Sequence, residues 1–115
     1  MSTDDAATEP GRTLCALADL VQGRGVAALV DSRQIAVFLL PGDVVSAVDN
    51  RDPFSGANVI ARGLLGTDDE GAWYVASPLH KQRFRLADGR CLDDPSVALQ
   101  TFTVAVDAGR CVLVP

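Results

Sequence analysis

The side chains able to do chemistry are few. His80 is the single histidine, and the cysteines are Cys15, Cys91 and Cys111. An imidazole titrates near neutral pH, so His80 is the natural general base. Ser77 is the hydroxyl nearest to it in sequence, and Asp52 could orient the ring. Together they have the composition of a Ser/His/Asp acyl-transfer set. No nucleophile elbow or glycine-rich oxyanion run accompanies them, so the chain does not read as a hydrolase. Asp52 and His80 could also bind a metal, but zinc and non-haem iron ask for more than two protein donors. The plainer expectation is that Asp52 hydrogen-bonds Ser77 or loop backbone groups, while Phe54 packs beside His80. There is no Walker loop and no G-x-G-x-x-G after a strand; Gly23-Arg24-Gly25 reads as a bend. The cysteines form no C-x-x-C and are odd in number. They read as reduced, mostly buried thiols in a cytoplasmic protein.

These residues fall in two proline-containing loops. The first reads Asp49-Asn50-Arg51-Asp52-Pro53-Phe54-Ser55-Gly56-Ala57, and the second Ala76-Ser77-Pro78-Leu79-His80-Lys81. Arg51, Lys81, Arg83 and Arg85 make a basic cluster around them on a chain of formal net charge −5. One reading is a solvated, charge-balanced face. The other is a docking patch for an acidic partner, with Phe54 and Trp73 as apolar anchors of the kind that dominate interfaces.

The two loops and their separation resemble the Rieske iron–sulfur domain. That family holds its cluster through C-x-H in one loop and C-x-x-H in the other, each Cys pair on one iron and each His pair on the second. Laid on this chain, the first motif falls on Asp52 and Phe54, and the second on Ser77 and His80. Pro53, Pro78, Gly56-Ala57 and Phe84 also fit the family's frame. Of the four ligands His80 alone remains, and a phenyl ring donates nothing to iron. A Rieske-like frame without its ligands, carrying D-N-R-D-P-F-S-G-A and S-P-L-H-K-Q-R-F, resembles the small subunit of cytoplasmic NAD(P)H-dependent nitrite reductase, from about Thr13 to Val114.

The resemblance implies a chain with no catalytic residues and no cofactor of its own. It implies a large-subunit partner that carries FAD, a [4Fe–4S] cluster and sirohaem and reduces nitrite to ammonium. It favours the docking reading of the basic cluster, for which the residues themselves offer Arg51, Phe54, Trp73 and Lys81 as candidates. Two alternatives stay open beside it: a Rieske-type [2Fe–2S] electron carrier, and a stand-alone binding module on the same frame.

The elements that must position the loops are short. The chain has 115 residues, enough for one domain, and 48% are hydrophobic, enough for a core. Its acidity argues against binding nucleic acid or an anionic membrane surface. Met1 to Pro10 has neither a basic start nor an apolar run, so no signal peptide is expected. Nor is a transmembrane helix, because the longest apolar stretch, Ile35 to Leu40, is six residues. Residues 1–11 read as a mobile tail, and 12–115 as one domain, monomeric when isolated.

Within that domain, Thr13–Ala16 starts a first strand and Leu17–Val21 makes one helical turn. Val26–Val30, Gln34–Leu40 and Val44–Val48 then form a meander. Thr67–Gly71 is an acidic turn before the strand Ala72–Ala76. Gln82–Leu86 alternates polar with apolar and turns at Ala87-Asp88-Gly89 into Arg90-Cys91-Leu92. Thr101–Val106 and Arg110–Val114 close a last hairpin. Gly-Arg-Cys occurs at 89–91 and again at 109–111, a pattern that puts glycine at positive φ and cysteine in the sheet. The expected class is all-β: a Rieske-like antiparallel β-sandwich, with 49–84 as a loop-rich cluster-type subdomain at one end.

Overall fold

Two antiparallel sheets divide the work. The computed structural model describes residues 12–114, so the tail expected at 1–11 lies outside the described residues. The larger sheet holds six strands: β1 (Thr13–Ala16), β2 (Gly25–Val30), β3 (Arg33–Leu40), β4 (Val44–Asp49), β8 (Thr101–Asp107) and β9 (Arg110–Val114). Their order is β1-β9-β8-β4-β3-β2. The smaller sheet holds β5 (Leu64–Thr67), β6 (Trp73–Ala76) and β7 (Arg83–Arg85), in that order. Among the described residues the helical pieces are two 3-10 turns, Leu17–Asp19 and Ile60–Arg62. None is long and apolar enough to cross a membrane.

The unbroken apolar run Ile35–Leu40 explains how the layers stack. A half-buried strand alternates apolar and polar side chains, whereas a strand covered on both faces has no polar position to spare. All six of these residues are buried. Ala36, Phe38 and Leu40 join Val48, Ile60, Val75, Phe84 and Leu86 in one core, shared with the small sheet. Ile35, Val37 and Leu39 point the other way, into a second core with Leu20, Val30, Ala47, Cys111 and Leu113. That core lies inside the large sheet, which curls until its terminal strands β1 and β2 approach within 8 Å between Cα atoms. The result is a near-barrel with the small sheet packed on its outer side.

The hairpin turns follow their sequences. Asp31-Ser32 joins β2 to β3, with Asp31 at φ 61°. Ala108 and Gly109 join β8 to β9, both at positive φ as a tight two-residue hairpin requires. Both Gly-Arg-Cys copies do begin with a positive-φ glycine, 76° at Gly89 and 78° at Gly109. Only the second copy enters a regular strand. Arg90–Leu92 lies beside β7, bonded from Arg85 N–H to the Arg90 carbonyl at 2.8 Å and from Leu92 N–H to the Arg83 carbonyl at 2.7 Å.

The small sheet carries the second loop directly. β6 runs from Trp73 into Ala76, and Ser77 follows it; the chain then returns as β7. The first loop leaves β4 at Asp49 and is pinned by an antiparallel bridge between Arg51 and Asn58. Asn50, 2% exposed, fastens its base. Its amide oxygen accepts the Ala61 N–H at 2.7 Å, and its amide nitrogen donates to Gln34 Oε1 at 2.9 Å.

Candidate functional site

Both loops fold around a buried polar residue, Asp52 in one and Ser77 in the other, each 0% exposed. Asp52 N–H donates to the Ala57 carbonyl at 2.8 Å, and the Asp52 carbonyl accepts from Gly56 N–H at 2.7 Å. Its Oδ1 accepts the Phe54 N–H at 2.8 Å. Ser77 repeats this pattern position by position. Its N–H donates to the Gln82 carbonyl at 2.9 Å, and its carbonyl accepts from Lys81 N–H at 3.0 Å. Its Oγ accepts the Leu79 N–H at 3.3 Å. The turn is the one Asp and Ser side chains build when they bond the backbone two residues on. The fifth residue of each loop sits in the left-handed region, Gly56 at φ 78° and Lys81 at φ 66°.

The two loops meet through these residues. Ser77 Oγ donates to Asp52 Oδ2 at 2.6 Å, a charge-assisted bond with no water access. Both oxygens of the Asp52 carboxylate are therefore engaged within the protein. Phe84 lies directly beneath, fully buried, with its ring centroid 6.1 Å from that of Phe54. Phe54 itself is 37% exposed and Leu79, at the equivalent place in the second loop, 48%. The tip thus has a sealed polar interior and an apolar outer surface.

This geometry removes the nucleophile reading. The Ser77 proton is spent on Asp52 rather than shared with His80, and a hydroxyl with no exposure meets no substrate. His80 is exposed on the second loop. The mononuclear metal reading falls on the same observation: the Asp52 carboxylate is sealed and satisfied, and His80 stands at the surface. The site also does not fit the Rieske cluster. Phe54 has no donor atom, and Asp52 and Ser77 are bound to one another. Among the described residues no three of His, Cys, Asp and Glu gather.

The basic cluster separates into two kinds of cation. Arg83 is paired with Asp93, Nη2 to Oδ1 at 2.9 Å, and lies 5.7 Å over the Tyr74 ring. Arg85 meets Asp88 at 3.4 Å and Asp68 at 3.9 Å. The Arg83 guanidinium, donating to Asp93, holds that carboxyl below the usual range. Asp68 is lowered too, first by the Ala72 N–H it accepts. Arg83 and Arg85 therefore belong to a charge-balanced face. Arg51 and Lys81 are exposed, and among the described residues neither enters an ion pair.

Trp73 is placed apart from the tip. It begins β6, four residues before Ser77 and so roughly 13 Å along the strand. There it packs on the core and lines an apolar hollow with Gln22, Gly23, Leu39, Leu40, Pro41 and Leu65. The exposed apolar residue of the second loop is Leu79. Its signal in the sequence was an apolar residue one position after the proline of the second loop.

The thiols are free. Cys91 and Cys111 are buried, and Cys15 is partly covered. Cys15 stands opposite Cys111 in the β1–β9 ladder, and burial followed by that neighbour pushes its thiol up to about 12.

Residues 12–114 match the family model described as Rieske-like [2Fe-2S] domain. The chain is 40% identical over 99 residues to the nitrite reductase (NADH) small subunit of Salmonella typhimurium, covering 85% of this chain and 91% of that one. It is 45% identical over 103 residues to the nitrite reductase [NAD(P)H] large subunit of Klebsiella oxytoca, covering 90% of this chain but 11% of that protein. The solved structure of the Escherichia coli protein NirD superposes with a TM-score of 0.81 at 38% identity, covering 90% and 94% of the two chains.

Proposed function

The chain belongs to the Rieske-like [2Fe-2S] domain family and, within it, to the nitrite reductase small subunits; from that premise we propose that it is the non-catalytic small subunit of an assimilatory NAD(P)H-dependent nitrite reductase. It supports or completes a large redox subunit that reduces nitrite to ammonium in the cytoplasm. FAD, a [4Fe–4S] cluster and sirohaem belong, in this reading, to that large subunit.

The observation that carries the reading is the bond between Ser77 and Asp52. A Rieske electron carrier needs thiolates at those two places, and here they close on one another. A frame kept without its redox centre has its surface left to act with. The Klebsiella relative supports the choice of partner, because there the matching segment is part of a large-subunit chain. Such a tether raises the effective concentration of a contact that a separate subunit must make by affinity alone.

Docking is assigned to the tip. Phe54 and Leu79 provide the apolar centre, and the unpaired cations Arg51 and Lys81 the rim. Truncating a central aromatic anchor typically costs about 2 kcal/mol or more, while an exposed rim charge costs far less. Phe54→Ala is therefore expected to weaken association with the large subunit more than tenfold. Arg24→Ala, at the turn before β2, should leave it unchanged. Titration calorimetry gives the affinity and thermal melting of the same samples gives the stability. Unchanged binding with a collapsed melting temperature would make Phe54 a core residue and remove the tip as the interface.

A further inference from the structure

Beside the tip, a hollow of about 320 Å³ is lined by Ser32, Arg33, Gln34, Asp49, Arg51 and Asn58. We infer that this hollow receives a carboxylate side chain of the large subunit, gripped between Arg33 and Arg51. The inference rests on the reading above and names the chemistry that the partner must present next to the Phe54–Leu79 centre.

Arg83 and Arg85 have carboxylate partners, whereas Arg33 and Arg51 have none among the described residues. Arg33 is nevertheless held in place. Its guanidinium lies 5.5 Å from the centroid of Phe102, stacked on a ring rather than paired with an acid. A stacked guanidinium keeps its donor edge free and has already lost much of its rotamer freedom, so less entropy is lost when it binds. The Arg51 guanidinium lies over the first loop, with Nη2 3.3 Å from the point where a Cβ on Gly56 would stand. Arg33 and Arg51 thus both line this hollow from separate elements, the start of β3 and the first loop, and Arg33 also borders the neighbouring hollow over Phe102.

The remaining lining agrees in sign. Gln34 accepts from Asn50 through Oε1, which leaves its NH₂ end to donate. Ser32 and Asn58 add a hydroxyl and an amide. Asp49 is the one carboxylate, and its Oδ1 is engaged by the Arg51 backbone N–H at 3.0 Å. Two guanidiniums against one carboxylate leave this hollow positive on a chain of net charge −5. A planar carboxylate is the group that an arginine fork binds in bidentate fashion. A positive hollow that meets a carboxylate of the partner also fixes the orientation in which the two dock.

The test uses the full chain and its purified large subunit, titrated at low and at raised salt. Arg33→Glu is expected to weaken association more than tenfold at low salt and to flatten its salt dependence. Arg33→Lys keeps the charge but loses the fork and the stack, so it should fall between the two. If Arg33→Glu proves unfolded by its melting curve, Arg33→Gln, which removes the charge without reversing it, is expected to weaken association in the same direction and to flatten its salt dependence. Wild-type affinity and salt dependence in the charge-reversed variant, with Phe54→Ala still weakened, would overturn the carboxylate site and leave the tip reading standing. Failure of the wild-type chain to associate at all would overturn both.

Discussion

The two loops at the tip are the same backbone written twice with different side chains. Each places a polar residue inward, caps it with the N–H two residues on, and closes with the N–H four residues on. The inward pair is sealed, and the outward pair, Phe54 and Leu79, is in contact with solvent. Only the second loop retains a residue able to ligate iron at its outer position, His80, while the first carries a phenyl ring. The backbone hydrogen bonds that shape the loops involve none of the atoms that would bind iron. The frame can therefore persist after the chemistry is lost, provided that the space between Asp52 and Ser77 is filled by a satisfied contact.

The largest test of that separation of frame and chemistry is to restore the donors. Asp52→Cys, Phe54→His and Ser77→Cys together, with His80 kept, give back two thiolates and two imidazoles on the same backbone. Supplied anaerobically with iron and sulfide, the triple variant is expected to gain a visible absorbance band and about two irons per chain, as a [2Fe–2S] centre requires. The wild-type chain under the same treatment should remain colourless. A folded triple variant that takes up no iron would mean that the loops have moved beyond ligand geometry.

Next in size is the contact between Asp52 and Ser77. Asp52→Ala strips a buried carboxylate and leaves the Ser77 hydroxyl and the Phe54 N–H without acceptors, at a cost of roughly 2–4 kcal/mol. Ser77→Ala leaves that carboxylate buried with one donor fewer and should cost about 1–3 kcal/mol. The double variant should cost less than the two singles added, because each single already breaks the shared bond. For a chain of this length, each kcal/mol lowers the melting temperature by about 4–8 °C. Strict additivity would show that the two loops are not coupled through this pair.

The strands were legible because their signals are local. The apolar run at Ile35–Leu40, the turn residues at Pro41-Gly42-Asp43 and the alternation at Gln82–Leu86 each name an element without reference to the rest of the chain. The inward pair was legible through the spacing of two proline loops. Trp73 lies at the far end of β6 from Ser77, beside Leu86 and so at the Arg85 end of the basic cluster, a placement that needs the direction of the strand as well as its sequence distance. The pairing of Arg83 with Asp93 and of Arg85 with Asp68 and Asp88 was equally hidden, since those contacts depend on how three turns are stacked. The Arg33–Arg51 hollow joins residues 18 positions apart across the β3–β4 hairpin, and no motif announces it.

The smallest effect compares the fifth positions of the loops, Gly56 and Lys81, at φ 78° and 66°. A residue with a Cβ held in the left-handed region costs roughly 1–2 kcal/mol relative to its relaxed conformation, and glycine avoids that strain. Lys81 bears the strain and Gly56 does not, although the two loops make the same hydrogen bonds. Lys81→Gly should therefore stabilise the fold, by less than the full strain, because glycine also gives the unfolded chain more freedom to lose. A net gain of about 0.5–1 kcal/mol is expected, read as a rise of a few degrees in the melting temperature. Gly56→Ala should have the opposite sign and a similar size, because it meets the unfavourable φ while the exposed Arg51 guanidinium can give way to the new Cβ. If Lys81→Gly also weakens association with the large subunit while raising stability, the strained lysine is kept for its charge at the rim. If binding is untouched, Lys81 drops out of the docking surface and Arg51 alone supplies the cation beside Phe54.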